Sequence, residues 1–285
     1  NDFILPQYRK PFVNLHRSVM AGNTGIMEFE IKGKHGTHRW LQTHAAPMRD
    51  TNRQVTSMIG VTRDITEHKR VEQQLVLKRE QQTTLREILE TTLVGGTLRN
   101  TLQQILSRLV KISWLSLLSK GGIFLLEKDE QNLRLFVQEG LSPEIQTLCA
   151  QVPVGACHCG RAAATSQLQY ADCVDSRHEI THPAIPDHGH YCVPLLAGEQ
   201  LIGMLVLYLP VGFQRDHANE EFITSVGSIL AGFILRKRDE EELKLASLVY
   251  QNSSQAMTVT DADANHQHQP CLHQNHRLFA GRSSR

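Results

Sequence analysis

Between Cys157 and Cys192 the chain reads CHCGRAAATSQLQYADCVDSRHEITHPAIPDHGHYC, placing Cys157, His158, Cys159, Cys173, His178, His182, His188, His190 and Cys192 within 36 positions. Thiolate sulfur and neutral imidazole nitrogen are the donors taken by zinc, iron, haem iron and iron–sulfur centres. The cofactor-binding candidates are Cys157, Cys159, Cys173, His178, His188 and His190, and the metal-ligating subset is Cys157, Cys159, Cys173, His188 and His190. The same residues support thiol redox sensing, or a pocket of buried cysteines and polar histidines lining a small organic ligand or nothing, because cysteine also serves as a small hydrophobe. The chain has no CxxC and no CxxCH, which removes zinc ribbons, thioredoxin-like motifs and covalent haem attachment. In an extended segment Cys157 and Cys159 point to opposite sides, so joint ligation needs a backbone turn at Gly155 or Gly160.

The run RHEITHPAI around His178 imitates a phosphoacceptor box, with His178, Glu179, Ile180 and Pro183 in register. Its context is wrong for that chemistry. A phosphoacceptor histidine sits on a long helix, whereas His178 follows a strand and precedes the helix-breaking Pro183 and Pro186. No nucleophile elbow and no phosphate-binding glycine loop occurs, so these residues carry no catalytic motif.

The elements that must position this cluster are visible as periodicities. Residues 98–112, LRNTLQQILSRLVKI, put Leu98, Leu102, Ile105, Leu106 and Leu109 on one helical face, which needs a sheet to cover. Strands are expected at GGIFLLEK, LRLFVQEG, QLQYADCVD, HYCVPLLAG and QLIGMLVLYL, and a last helix from Asp216 to about Tyr250. In that helix Phe222, Val226, Ile229 and Phe233 recur at heptad-like spacing, with core packing as their main role. Upstream, residues 26–66 alternate as three antiparallel strands with turns at Gly33–Gly36 and Asp50–Asn52. From Thr66 to about Thr92 a polar helix carries Val71, Leu75, Leu85 and Leu89 on a and d positions, interrupted by Lys78 and Gln82. It reads equally as a weak coiled coil or as a solvated spacer.

FEIKGKHGTHRW and GVTRDITEHKRVEQQL resemble the strand pair and exit helix of a PAS domain, and the resemblance implies that its first strands and most of its helical wall lie upstream of Asn1. VPVGACHCGRAAATSQLQYADC and YCVPLLAGEQLIGMLVLYL resemble the inner loop and closing hairpin of a GAF domain. That second resemblance implies an antiparallel sheet with helices on one side and a ligand pocket on the other. The expected organisation is the C-terminal part of a PAS domain over 1–70, a linker helix over 71–95, a GAF domain over 96–238, a linker helix over 239–250, the start of a second PAS domain over 251–264 and a non-structured or out-of-frame tail over 265–285. The tail holds four of the fifteen histidines without periodicity, so a histidine-rich metal tract is its functional alternative. Cys157 beside His158 is similar to the bilin-attachment pair of some GAF domains, but the flanking CGRAAAT follows the generic GAF helix start. The fold class expected is α+β: a GAF-like antiparallel sheet with flanking helices, preceded by an incomplete PAS-like sheet, joined by long signalling helices.

Thirty basic against twenty-nine acidic residues give a formal charge of +1, which offers no field for nucleic acid or an anionic membrane. The most apolar stretches are too short or too interrupted to span a bilayer. Six cysteines, mostly clustered, do not form a secreted disulfide framework, and a reducing cytoplasm is expected. A chain opening on Asn1 reads as an excerpt of a longer protein. The resemblances imply a sensory input region of a bacterial signal-transduction protein, binding a small molecule or metal, homodimeric through its linker helices and passing a helix shift to an output domain in cis. Two alternatives stand beside it: a fragment of a histidine kinase or cyclic-di-GMP enzyme whose catalytic domain lies elsewhere, and a non-sensing dimerisation scaffold.

Overall fold

The computed structural model describes residues 3–34, 36–127, 130–180 and 185–252. The expected second PAS segment from 253 onward, the 265–285 tail and His182 lie outside the described residues. The chain divides into two compact units, Asn1–Glu87 and Ile88–Arg285.

In the first unit, helix α1 (Pro6–Met20) opens with proline in its first turn, where the missing N–H costs nothing. It precedes the antiparallel strands β1 (Gly25–Lys32), β2 (His38–Arg49) and β3 (Val55–Asp64), in the order β1-β2-β3. These are the three expected strands; α1 was not anticipated, because the helical wall was placed upstream of Asn1. Phe12 of α1 meets Phe29 of β1 edge to face at 5.4 Å, and Val19 is fully buried. The β2–β3 turn forms where Asp50 Oδ1 accepts the N–H groups of Asn52 (2.9 Å) and Gln54 (2.8 Å). Ile26, Ile59 and Val61 are exposed. Asp64 Oδ1 accepts the Thr66 N–H at 2.9 Å, ending β3 and starting helix α2 (Thr66–Leu93).

The second unit is built on a six-stranded antiparallel sheet. Its elements follow as α3 (Leu98–Leu109), β4 (Gly121–Leu126), β5 (Asn132–Glu139), α4 (Pro143–Leu148), β6 (Gln151–Pro153), α5 (Cys157–Thr165), β7 (Gln169–Ala171), β8 (Gly189–Ala197), β9 (Gln200–Leu209) and α6 (His217–Asn252). The strand order is β6-β5-β4-β9-β8-β7. The short β6 was missed, since three residues carry no readable alternation. Thr97 caps α3 by accepting the Asn100 N–H at 3.2 Å, and Leu102, Ile105, Leu106 and Leu109 are fully buried, the face anticipated from their spacing. Period-two alternation then sorts the two faces of the sheet. Gly121 of β4 lies against Leu106 and Val110, and Gly227 of α6 against Val193 of β8, so α3 and α6 share one face. Phe222, Val226 and Phe233 of α6 are buried and Ile229 is partly buried, consistent with core packing.

The other face carries α4 and α5 over an apolar cluster that includes Phe124, Leu133, Ile145, Cys192, Met204 and Val206. The resemblance implies a ligand pocket on this face; these buried side chains occupy it. Gly160 explains how α5 sits so close: a Cβ there would lie 2.1 Å from the Pro153 carbonyl oxygen.

Candidate functional site

One corner of the α5 face is polar. His190 is the second residue of β8, opposite Ala171 of β7 and Tyr208 of β9, and shares the α5 side with Cys192. A Cβ on the preceding Gly189 would lie 2.5 Å from the Ala171 carbonyl oxygen, so glycine is what lets β7 pair there. His188 stacks on Tyr208 (4.9 Å, 25°), and His190 meets the same ring edge-on (4.7 Å, 71°).

The connection from Asp172 to Asp187 is shaped by its own carboxylates. Asp187 Oδ1 accepts the N–H groups of Val174 (2.7 Å) and His188 (3.0 Å), joining the two ends of the loop. Asp175 takes the Arg177 guanidinium at 2.5 Å while its carbonyl accepts the His178 N–H at 2.9 Å. Glu179 accepts the Cys157 N–H at 2.7 Å and pairs with Arg161 at 2.6 Å, supplying from the loop the cap that Ala156 cannot give α5.

These links lay His178 over His190, rings stacked at 5.0 Å and 13°. His188 stands edge-on to both, at 5.5 Å from His178 and 4.5 Å from His190. One ligand atom from each of His178, His188 and His190 lies within 4.8 Å of the others, the one such group among the described residues. His158, from α5, adjoins at 6.0 Å from His178 and 6.1 Å from His190. Its Nε2 is 3.3 Å from Asp175 Oδ1 but lacks the alignment of a hydrogen bond.

His158, His188 and His190 are no more than 4% exposed. Nδ1 of His178, Nδ1 of His190 and both nitrogens of His158 have no hydrogen-bond partner among the described residues. A buried polar group left so costs about 1–3 kcal/mol, which marks the corner as a place a ligand would stabilise. Burial, reinforced by the neighbouring imidazoles, holds His190 well below the usual histidine range and His178 below it. Burial lowers His158 too, with Asp175 acting against it. Asp175 itself is drawn down to about 2, chiefly by Arg177. The corner therefore holds neutral imidazoles backed by an ionised carboxylate.

Family models match at both units: the GAF domain over residues 96–236 and the PAS fold over residues 1–62. The chain joins a PAS fold to a GAF domain. The chain is also similar to solved structures. The GAF domain of a phosphoenolpyruvate-protein phosphotransferase from Coxiella burnetii is 17% identical, with a TM-score of 0.50 over 57% of this chain and 96% of that one. Its counterpart from Acinetobacter is 19% identical (TM-score 0.45; 56% and 95%). The free methionine-R-sulfoxide reductase from Neisseria meningitidis, solved with its substrate, is also 19% identical (TM-score 0.47; 56% and 91%). No curated protein sequence matches. The PAS and GAF domains mark a sensory, signalling region, and among the described residues no helix is long and apolar enough to cross a membrane.

Within the GAF domain the residues singled out from the sequence separate into two sets. His178, His188 and His190 come together; Cys157, Cys159 and Cys173 stand outside their group. Cys157 opens α5 in the left-handed region, at φ +56, with its sulfur accepting the Ile180 N–H at 3.4 Å. Cys159 is turned toward Cys192, Sγ to Sγ 3.7 Å, and Cys173 lies beside Asp172, whose hydrogen bond raises its pKa. The Cys192 contact and burial raise the Cys159 thiol well above its ordinary range, and burial raises Cys157. Protonated, half-sequestered thiols are poor ligands and poor nucleophiles. Sequence reasoning placed His158 in the cluster without a role, and missed Asp175, Glu179 and Asp187 as the groups that shape the loop. Their spacing was visible; which backbone groups they would reach was not.

Proposed function

We propose that this chain is the sensory input region of a bacterial signal-transduction protein, detecting its ligand at the histidine corner of the GAF domain and passing the event through α6 to an output domain in cis. One observation supports this above others: the loop that carries His178 is tied to the segment that opens α6. The Gly212 N–H donates to the Asp172 carbonyl at 2.9 Å, and the Tyr170 hydroxyl donates to the Phe213 carbonyl. Strand β8 adds a second route, because alternation sends His190 to the corner and Tyr191 to the opposite side. There Tyr191 packs against Tyr170 (5.3 Å) and Phe213 (6.2 Å). Phe213 lies just ahead of Asp216, which caps α6 by accepting the Ala218 N–H at 2.8 Å. A change in the corner thus reaches the first turn of α6 through packed and hydrogen-bonded neighbours.

The proposed assembly is a homodimer through the linker helices, supported by Val71, Leu75 and Leu89, which stay exposed on α2 at the heptad spacing.

Hydrogen exchange on the Asp187→Ala chain tests the coupling without knowledge of the ligand. Releasing the Val174 and His188 amides should quicken exchange in 172–188 and also in 210–222. Faster exchange confined to 172–188 contradicts the reading.

A further inference from the structure

We propose that His178, His188 and His190 form a three-imidazole site for a divalent first-row transition ion, leaving one coordination position for water or a small exogenous ligand. This rests on the reading of the histidine corner as the detecting site of the GAF domain, and names what is detected there.

Three features carry it. First, the donors converge from independent parts of the chain: His178 from the loop, His188 from the loop's end, His190 from β8, with one nitrogen of each inside a 4.8 Å group. Tetrahedral ligands at the usual zinc–nitrogen distance are about 3.4 Å apart. The three nitrogens must therefore draw closer together when an ion binds.

Second, the donors are in the required state. A carbonyl oxygen can only accept, so the 2.7 Å contact between His188 Nδ1 and the Pro186 carbonyl holds a proton on Nδ1 and leaves Nε2 as the nitrogen that can offer a lone pair. A backbone carbonyl orienting a ligating imidazole from behind is the usual arrangement around bound metals. His190, 3% exposed, keeps an Nδ1 with no hydrogen-bond partner among the described residues, and His178 keeps another.

Third, the surroundings select the ligand class. Phe124, Cys192, Met204, Val206 and Tyr208 fill the space beneath α5, so the corner suits an ion better than a large planar cofactor. Three imidazole nitrogens are borderline donors, suited to zinc, cobalt, nickel, copper or iron(II) and poorly suited to calcium or magnesium. An iron–sulfur centre would need thiolates, and Cys159 faces Cys192 inside the apolar cluster instead. His158, with Asp175 behind it, adjoins the three as a hydrogen-bonding neighbour for whatever takes the open position.

Cobalt(II) is the probe, added to the chelator-treated full chain. Because the tail contains His266, His268, His273 and His276, a second full-length protein carries alanine at those four positions. Both should bind one equivalent more tightly than any background, giving visible d–d bands without the near-ultraviolet thiolate-to-cobalt band. His178→Ala and His188→Gln should each weaken binding on the order of a hundredfold. Their metal-free melting should stay close to the parent's for His178→Ala, which sits on a loop.

Three results overturn the proposal: no binding in the tail variant, binding that survives both substitutions, or a strong thiolate band. If cobalt fails to bind while Asp187→Ala still quickens exchange in 210–222, the metal is wrong and the coupling stands. If cobalt binds without altering exchange there, the metal stands and the coupling fails.

Discussion

His188 donates its Nδ1–H to the Pro186 carbonyl across 2.7 Å, and this contact decides which of its nitrogens carries the lone pair. Nitrogen-15 correlation spectra of the metal-free chain at pH 7.5 should show His188 as a single Nδ1–H tautomer. An Nε2–H tautomer contradicts the arrangement described for the corner.

Acid should weaken the GAF domain. His158, His178 and His190 are all held below the ordinary 6.5, mainly by burial, so the unfolded chain takes up protons that the folded one resists. Stability from this source is complete above about pH 6.5 and is lost as the pH falls toward the folded values. Among the described residues the groups facing these rings are His188, Tyr208, the guanidinium groups of Arg161 and Arg177, which also hold His158 down, and the carboxylate of Asp175, which stays ionised to about pH 2. In the presence of chelator the urea midpoint should fall between pH 7.5 and 5.5, and His178→Ala should flatten that slope. A midpoint independent of pH contradicts the burial of neutral imidazoles.

The thiols should behave as packing groups. Burial pushes Cys149 up to about 12, the Cys192 contact and burial raise Cys159, and Cys192 is fully buried. Among the cysteines of the described residues, site-resolved alkylation at pH 8 should label Cys173 first, with Cys149, Cys159 and Cys192 slower by on the order of a hundredfold. Rapid labelling of Cys159 would instead support the redox reading of the cluster.

Much of this was legible before any coordinates. The strands of the sheet other than β6, and the buried face of α3, follow from spacing, because periodicity records burial directly. The density of cysteine and histidine located the corner. The division of labour inside it was hidden: Cys157 and His190 are 33 positions apart, and only the sheet register and the loop's carboxylates decide which side chains meet. Cysteine was weighted as a ligand on its chemistry, and what keeps Cys159 protonated is its contact with Cys192 of β8, 33 positions away, together with burial. Helix α1 was missed because the helical wall was placed upstream of Asn1; Pro6 sits in its opening turn, where proline is tolerated.

The exposed apolar positions of α2 bear on assembly. Leu75→Glu places a charge at a heptad position of the proposed dimer seam. Light scattering should show the parent as a dimer and the variant shifted toward monomer at the same concentration. A monomeric parent contradicts the homodimer.

The central claim is that the histidine corner and the start of α6 are one coupled element, and a double-mutant cycle read by hydrogen exchange tests it most directly. Tyr170→Phe removes the hydroxyl that reaches the Phe213 carbonyl and leaves the ring packing in place. Asp187→Ala should quicken exchange in residues 217–226 of the parent and do so much less in the Tyr170→Phe background. Effects that simply add, with the α6 amides responding to Asp187→Ala equally in both backgrounds, would contradict it.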